Sequence, residues 1–328
     1  MSTLPLVSLS RALSSDSERR AEARAIDAAN RTVGFLVLTD HGVAADLVDD
    51  LYRVTAEFFA LPAEIKNRYV TANRAASRGY VPPKVRSLAA TRERMDGGDL
   101  VELFAAGLPH VPDDPYFSPE HAGINFRPNV WPAEIPRFRA VWETYYDAMQ
   151  ALAAQLMSLF ATALDLPADF FDDKIDRHIS NLFANHYPPI LEQPAPGQIR
   201  VGEHTDYGSL TLLHQRDEVG GLEVHVGGRW VPVEPMAGAY VVNIGDLMAR
   251  WTNDRWISTL HRVQNPPPER LSMGRLSFPF FCQPNYDTVI EALPSCVGPA
   301  QPPRYPPISS GENMIRKTER SFSGGNTR

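Results

Sequence analysis

The chain has 328 residues, 43% of them hydrophobic and 22% charged, which suits a folded enzyme with a sizeable core. A net charge of −7 excludes a broad nucleic-acid-binding surface and a polybasic membrane anchor. The two cysteines, Cys282 and Cys296, form no C-x-x-C pair or disulfide framework; Met1–Val7 does not read as a secretory signal, and no apolar run spans a bilayer, so a cytoplasmic protein is expected.

The first half reads as a helical scaffold. Leu4–Leu9 suits a short edge strand. Ser15–Thr32 is charged and alanine-rich with Asp16 and Glu18 early, and Ser15 with Glu18 has capping-box spacing. Gly34–Thr39 reads as a buried strand closed by the turn Asp40-His41-Gly42. Asp46–Phe59 carries Leu47, Leu51, Val54 and Phe58 at helical spacing, and Pro62–Tyr69 starts a further helix with its proline. Residues 70–130 are rich in Gly, Pro, Arg and Asp, the composition of a binding loop or lid. Pro136–Leu164 is the longest expected helix, with Phe138, Trp142, Tyr145, Met149, Leu152, Leu156 and Leu159 as its buried stripe.

From residue 178 the period changes to strands. They are expected at Ile179–Tyr187, Ser209–Gln215, Leu222–Val226, Trp230–Val233, Ala239–Ile244, Thr259–Val263 and Leu276–Cys282, with Gly227-Gly228 as a tight hairpin turn. Many short strands separated by turn residues indicate a β sandwich or barrel. The tail from Ser309 is polar and basic and reads as a terminal helix or frayed end.

Chemistry concentrates in this second half. His204-Thr205-Asp206 offers an imidazole and a carboxylate at i and i+2, which share a face of an extended strand. A lone H-x-D triplet is common by chance. His261 lies far enough downstream for several strands to intervene, and it sits in the strand-like run Ser258–Val263. Two imidazoles and one carboxylate hold one face of a metal and leave the other open, the ligand set of non-haem Fe(II) and O₂ chemistry.

Arg275 and Ser277 are likewise at i and i+2. Flanked by Leu276, Phe278, Phe280 and Phe281, this arginine is expected in a pocket, where a guanidinium fork beside a hydroxyl suits a carboxylate. The rival triplet Arg270-Leu271-Ser272 follows Pro266–Pro268 and reads as loop. Tyr187 and Asn185 alternate with His186 near the end of the preceding strand and are placed to reach the same bound acid, whereas His186 is read as no ligand. His41, His110, His121, His178, His214 and His225 have no partner at metal-ligand spacing.

Taken together these segments identify a family. The chain resembles the 2-oxoglutarate- and Fe(II)-dependent dioxygenases of the isopenicillin N synthase-like superfamily. The resemblance rests on Leu4–Leu9, Gly34–Val43, Phe58–Pro62, Arg78-Gly79-Tyr80, Asn185–Pro189, His204–Gly208, Asn243–Asp246, His261–Val263 and Arg275–Phe281, and so covers nearly the whole length. It implies a mainly β fold with helical support: a double-stranded β-helix (jelly-roll) core flanked by N-terminal helices. One unit over residues 1–328 is expected, with a mostly helical region to 175, the jelly roll over 176–290 and a C-terminal segment over 291–328. The segment from His261 to Arg275 is slightly longer than is common in the family.

By resemblance, His204, Asp206 and His261 hold Fe(II). Arg275 and Ser277 grip the distal carboxylate of 2-oxoglutarate with help from Tyr187, and Asn185 faces its keto-acid end. The implied reaction consumes O₂, releases succinate and CO₂, and oxidises an unactivated C–H bond of a small molecule by hydroxylation, desaturation or cyclisation. The competing expectations are a superfamily oxidase that uses no 2-oxoglutarate, as in isopenicillin N synthase, and an inactive binding protein on the same scaffold. Specificity is expected on residues 70–130 and the C-terminal segment. Arg78 and Tyr80 are candidates to meet a polar substrate, with a surface role as the alternative, and Tyr207, Phe280 and Phe281 are candidates for an apolar lining. No nucleic-acid or membrane partner is expected.

Overall fold

Helices form the layer on which the sheets rest. The structure is a computed structural model that describes residues 4–72, 77–85, 98–192, 194–195, 197–216 and 220–323. Strand β1 (Leu6–Ser8) leads through α1 (Leu9–Ser14) to α2 (Asp16–Thr32). Ser15 caps α2 by accepting from the Glu18 backbone N–H at 3.3 Å. The Glu18 carboxylate turns to Arg11 at 2.7 Å, so only half of the expected capping box forms. Strand β2 (Phe35–Thr39) and α3 (Ala45–Phe59) follow, then α4 (Ala63–Lys66), which tightens into a 3₁₀ turn over Asn67–Tyr69.

Residues 70–130 are more ordered than their composition suggests. They contribute β3 (Gly79–Val81) and β4 (Glu102–Ala106) to the main sheet before α5 (Pro119–Ala122), while 73–76 and 86–97 lie outside the described residues. Helix α6 (Phe138–Ala163) then buries the whole predicted stripe from Phe138 to Leu159. Its polar atoms are answered too. Trp142 Nε1 donates to Thr55 Oγ1 at 3.0 Å, and the Tyr146 hydroxyl donates to Ser180 O at 2.8 Å. A short α7 (Asp172–Ile175) closes the helical half.

The second half supplies β5 (Asn181–Tyr187), β6 (Val201–His204), β7 (Leu210–Gln215), β8 (Leu222–Val226), β9 (Arg229–Pro232) and β10 (Tyr240–Ile244). After α8 (Asp246–Trp251) come β11 (His261–Val263), β12 (Arg275–Cys282), the small pair β13 (Val289–Ile290) and β14 (Ile308–Ser309), and α9 (Ser310–Ser323). At the β8–β9 hairpin Gly227 and Gly228 both have positive φ, +58° and +76°, as a tight two-residue turn requires.

Among the described residues one sheet runs β1-β2-β10-β7-β12-β5-β4-β3 and the other β6-β11-β8-β9. In these two sheets only β1 and β2 pair in parallel; every other neighbouring pair is antiparallel. This is the expected jelly roll with helical backing. The pleat decides which face does what. In β5, β7 and β12 the residues Leu182, Ala184, Leu210, Leu212, Phe278, Phe280 and Cys282 join the core beneath α6. Each large apolar side chain buried there contributes roughly 1.5–3 kcal/mol. The alternate positions face the space between the sheets. No helix among the described residues is long and apolar enough to cross a membrane.

Candidate active site

The space between the sheets is a cavity lined at every second residue of its strands. Strand β5 gives Asn181, Phe183, Asn185 and Tyr187; β12 gives Arg275, Ser277, Pro279 and Phe281; β7 gives Thr211 and Leu213. From the smaller sheet, His204, Leu222, His261 and Val263 close it.

The two histidines meet through strand register. His261 of β11 is the antiparallel partner of His204 on β6, and their rings stand 4.2 Å apart between centroids. His204 is the last residue of β6, and Asp206 lies beyond it, so a shared strand face does not unite the pair. A tight loop does. Asp206 O accepts from the Asp246 N–H at 2.8 Å, and Gly245 N–H donates to Ser209 O at 3.1 Å, clamping the loop to the start of α8. Gly208 and Gly245 permit this approach: a Cβ on Gly245 would sit 2.4 Å from Gly208 O.

Hydrogen bonds orient all three groups. The Nδ1 of His204 is 2.8 Å from Gly202 O, and that of His261 is 3.0 Å from Thr259 O. A carbonyl only accepts, so each Nδ1 carries the proton and each Nε2 keeps its lone pair. Asp206 Oδ2 accepts from Thr211 Oγ1 at 2.5 Å and Asn243 Nδ2 at 2.7 Å. Its Oδ1 is left facing the imidazoles, 3.9 Å from His204 Nε2 and 3.7 Å from His261 Nε2. Burial opposes ionisation of Asp206, yet the charge that His261 and His204 carry when protonated, with the hydrogen bonds from Asn243 and Thr211, outweighs it and holds the carboxyl below its usual range. Among the described residues these three form the group of side chains able to share one ion. Two neutral nitrogens and one anionic oxygen on one side of a cavity fit a divalent non-haem iron.

The second cluster also arises from register. Arg275 lies opposite Tyr187, and Ser277 lies between Asn185 and Gln215 of the flanking strands. Arg275 Nη2 donates to Gln215 Oε1 at 2.7 Å and Nη1 to Ser277 Oγ at 3.4 Å, with Cζ 4.8 Å from the Tyr187 ring centroid. The guanidinium is buried, and its Nε has no hydrogen-bond partner among the described residues. A buried cation answered there only by neutral groups is a receptor for an anion. Arg270, on the turn Pro268–Arg270, is exposed and outside the cavity.

Other expectations need correction. Arg78 does not meet the cavity; it is buried as a structural tie, donating to Asn181 Oδ1 at 2.6 Å and Asn125 O at 2.9 Å. The Tyr80 hydroxyl bonds to the Glu102 carboxylate, which also takes Lys66 Nζ and His186 Nδ1. Phe280 lies in the helix-side core, while Tyr207 and Phe281 do line the cavity. Thr211, Asn243, Gln283 and, from α9, Met314 and Thr318 also line it, though no motif singled them out for that place.

Residues 178–284 match the family model of the 2OG-Fe(II) oxygenase superfamily, and residues 4–134 match that of the non-haem dioxygenase in morphine synthesis N-terminal region. The 2-oxoglutarate-Fe(II) type oxidoreductase hxnY of Emericella nidulans is 35% identical over 294 residues, covering 86% of this chain and 79% of that protein. The chain belongs to the 2OG-Fe(II) oxygenase superfamily. A 2OG-Fe(II) oxygenase family protein of Caulobacter crescentus superposes on this oxygenase with a TM-score of 0.84 at 34% identity, covering 97% of this chain and 99% of that one. A full-length Neurospora crassa protein, solved in complex with alpha-KG and thymine, gives 0.84 at 31% identity, covering 96% of each chain. The oxygenase is therefore an oxidoreductase that uses Fe(II), 2-oxoglutarate and O₂ to oxidise a C–H bond, with release of succinate and CO₂.

Proposed function

We propose that His204 and His261 through Nε2, and Asp206 through Oδ1, hold the ferrous ion of this oxygenase. Arg275 and Ser277 receive the distal carboxylate of 2-oxoglutarate, with Tyr187 against the guanidinium and Asn185 toward the keto-acid end. The observation that carries this reading is that every competing atom is already engaged: both Nδ1 positions by backbone carbonyls, and Asp206 Oδ2 by Thr211 and Asn243. The bound ion supplies oxygen activation coupled to decarboxylation of the 2-oxo acid.

The chain's own part is placement and exclusion. Arg275, fixed by Gln215 and Ser277, sets the direction in which the co-substrate enters. Phe35, Val81, Leu103, Leu213 and Leu222 wall the cavity with apolar surface and keep bulk water out. A small-molecule substrate is seated beside the edge-to-face pair Phe183–Phe281 and under Met314 of α9. Hydroxylation is the default outcome, with desaturation or cyclisation open to the same oxidant. The crystallised N. crassa relative that holds thymine supports a substrate of small-molecule size.

Two broader readings accompany this one. We take residues 1–328 as one working unit, because a single core cluster draws on α2, α3, α6 and the strands from Val7 to Ile290. We assign it to a reducing, cytoplasmic setting, since Cys282 and Cys296 are both free and buried.

Anaerobic loading with Fe(II), followed by O₂ uptake and succinate assays, tests the function. Both signals should require added 2-oxoglutarate and vanish in H204A. Turnover of a substrate without 2-oxoglutarate would instead favour the oxidase reading, and turnover retained by H204A would reject the site. R275A should raise the 2-oxoglutarate requirement roughly 10- to 100-fold, the worth of a charge-assisted hydrogen bond, and R270A should not.

A further inference from the structure

Behind the anion receptor stands a second guanidinium that the reading above leaves idle. Arg200, just ahead of β6, is 0% exposed. Its Nη2 donates to Met273 O at 3.0 Å, while Nε and Nη1 have no hydrogen-bond partner among the described residues. Nor does any carboxylate of the described residues answer its charge. The ionisable groups acting on it are Arg275, also cationic, and the Tyr187 phenol. Burial and the Arg275 charge lower it to about 10, so it stays protonated at neutral pH.

Tyr187 links the two cations. The Arg200 Cζ is 5.5 Å and the Arg275 Cζ 4.8 Å from the centroid of its ring, which is itself buried. Two like charges around one aromatic ring, shielded from water, repel each other and have no carboxylate counter-ion among the described residues. Such an arrangement is costly alone and becomes favourable when an anion binds in the cavity beside Arg275. Arg200 does not border the cavity, but Tyr187, Val201 and Arg275 do. Its influence on a bound acid therefore runs through the ring and through the field, not through contact.

We propose that Arg200 is a positioning residue of the distal-carboxylate subsite, a second cation that acts across Tyr187 to select a doubly charged 2-oxo acid. This rests on the assignment of Arg275 and Ser277 to 2-oxoglutarate. It predicts selectivity rather than general affinity. The distal carboxylate gains from Arg200, whereas the 2-oxo-acid end, which the metal would hold, does not.

The test compares binding of 2-oxoglutarate and 2-oxopentanoate, which has the same chain length and no distal carboxylate, by calorimetry. The protein is loaded with Mn(II) as a redox-inert stand-in. In R200Q the affinity for 2-oxoglutarate should fall about tenfold, the order expected of one unit charge within about 10 Å at an intermediate dielectric. Affinity for 2-oxopentanoate should stay within about twofold, which also shows that the variant is folded. R200K keeps the charge and should keep most of the selectivity, and R200M should lose it as R200Q does. Equal weakening of both acids would make Arg200 merely structural, and unchanged 2-oxoglutarate binding in R200Q and R200M would remove it from the subsite. A wild type with no preference between the acids would overturn the co-substrate assignment itself.

Discussion

Removing either donor to Asp206 Oδ2 should loosen the metal without emptying the co-substrate pocket. Thr211 and Asn243 are register partners on β7 and β10, and both donate to the same oxygen, at 2.5 and 2.7 Å. Together they fix the carboxylate plane so that Oδ1 faces the imidazoles. T211V deletes one hydroxyl with little change in volume, and N243A deletes the amide. A hydrogen bond to a buried charged group contributes about 1.5–3 kcal/mol. Where that loss falls on the ionised, metal-holding geometry, affinity should drop roughly 10- to 100-fold per variant, the usual range for groups that orient a ligand. Mn(II) titration by calorimetry reads the affinity directly, and circular dichroism checks the fold. At saturating metal, the 2-oxoglutarate requirement should stay close to wild type, because Arg275 and Ser277 are untouched. Folded T211V and N243A with wild-type metal affinity would refute the reasoning: Oδ1 would then not owe its direction to these two bonds.

Two further outcomes follow from buried ionisable groups away from the cavity. Glu102 is buried; desolvation would raise its carboxyl, but His186, Lys66 and Tyr80 outweigh that and hold it low. E102Q strands the buried Lys66 ammonium and should cost about 3 kcal/mol by urea unfolding at pH 7; the loss should shrink as pH falls below the unfolded carboxyl's range, because Glu102's contribution disappears there as the native group protonates. A loss under about 0.5 kcal/mol at pH 7 would show the ion pair contributes little. Burial, helped by Arg216 and His41, holds His214 down at about 4 against an ordinary 6.5. Between these values the unfolded chain binds a proton that the native chain refuses, so stability falls as pH drops through that window, by up to about 1.4 kcal/mol per pH unit for this group. H214Q should flatten that slope in urea melts at pH 7, 6 and 5, and an unchanged slope would contradict the assignment.

Four of the residues proposed for the site stand out in the sequence because their spacing matches a two-residue pleat. Arg275 and Ser277, like Asn185 and Tyr187, alternate with apolar or non-ligating neighbours, and the structure brings all four to one wall. His204 and Asp206 converge for a different reason from the one their spacing suggests. The strand stops at His204, and a glycine-dependent clamp onto α8 turns Asp206 back toward it. Strand β4 escaped notice because Glu102–Ala106 is buried on both faces and so lacks alternation, with a buried charge in place of its first apolar residue. A composition rich in Gly, Pro and Arg around it then read as loop.

What the sequence withheld was mostly long-range pairing. Thr211 and Asn243 become supports for the Asp206 carboxylate only once β7 and β10 lie side by side, and nothing local to either residue announces a shared oxygen. Arg200 left a fainter trace: an arginine between Ile199 and Val201, four residues before His204, is a charge set in an apolar strand approach. The same physics distinguishes it from Arg270. Arg270 stands exposed on a proline-bounded turn, and Arg200 and Arg275 are both enclosed. Enclosure without enough internal partners gives a guanidinium a reason to bind an acid, because an ion supplied from outside can then replace the solvent it has lost. The receptor is thus defined less by the Arg-x-Ser spacing than by where the pleat and the register bury it.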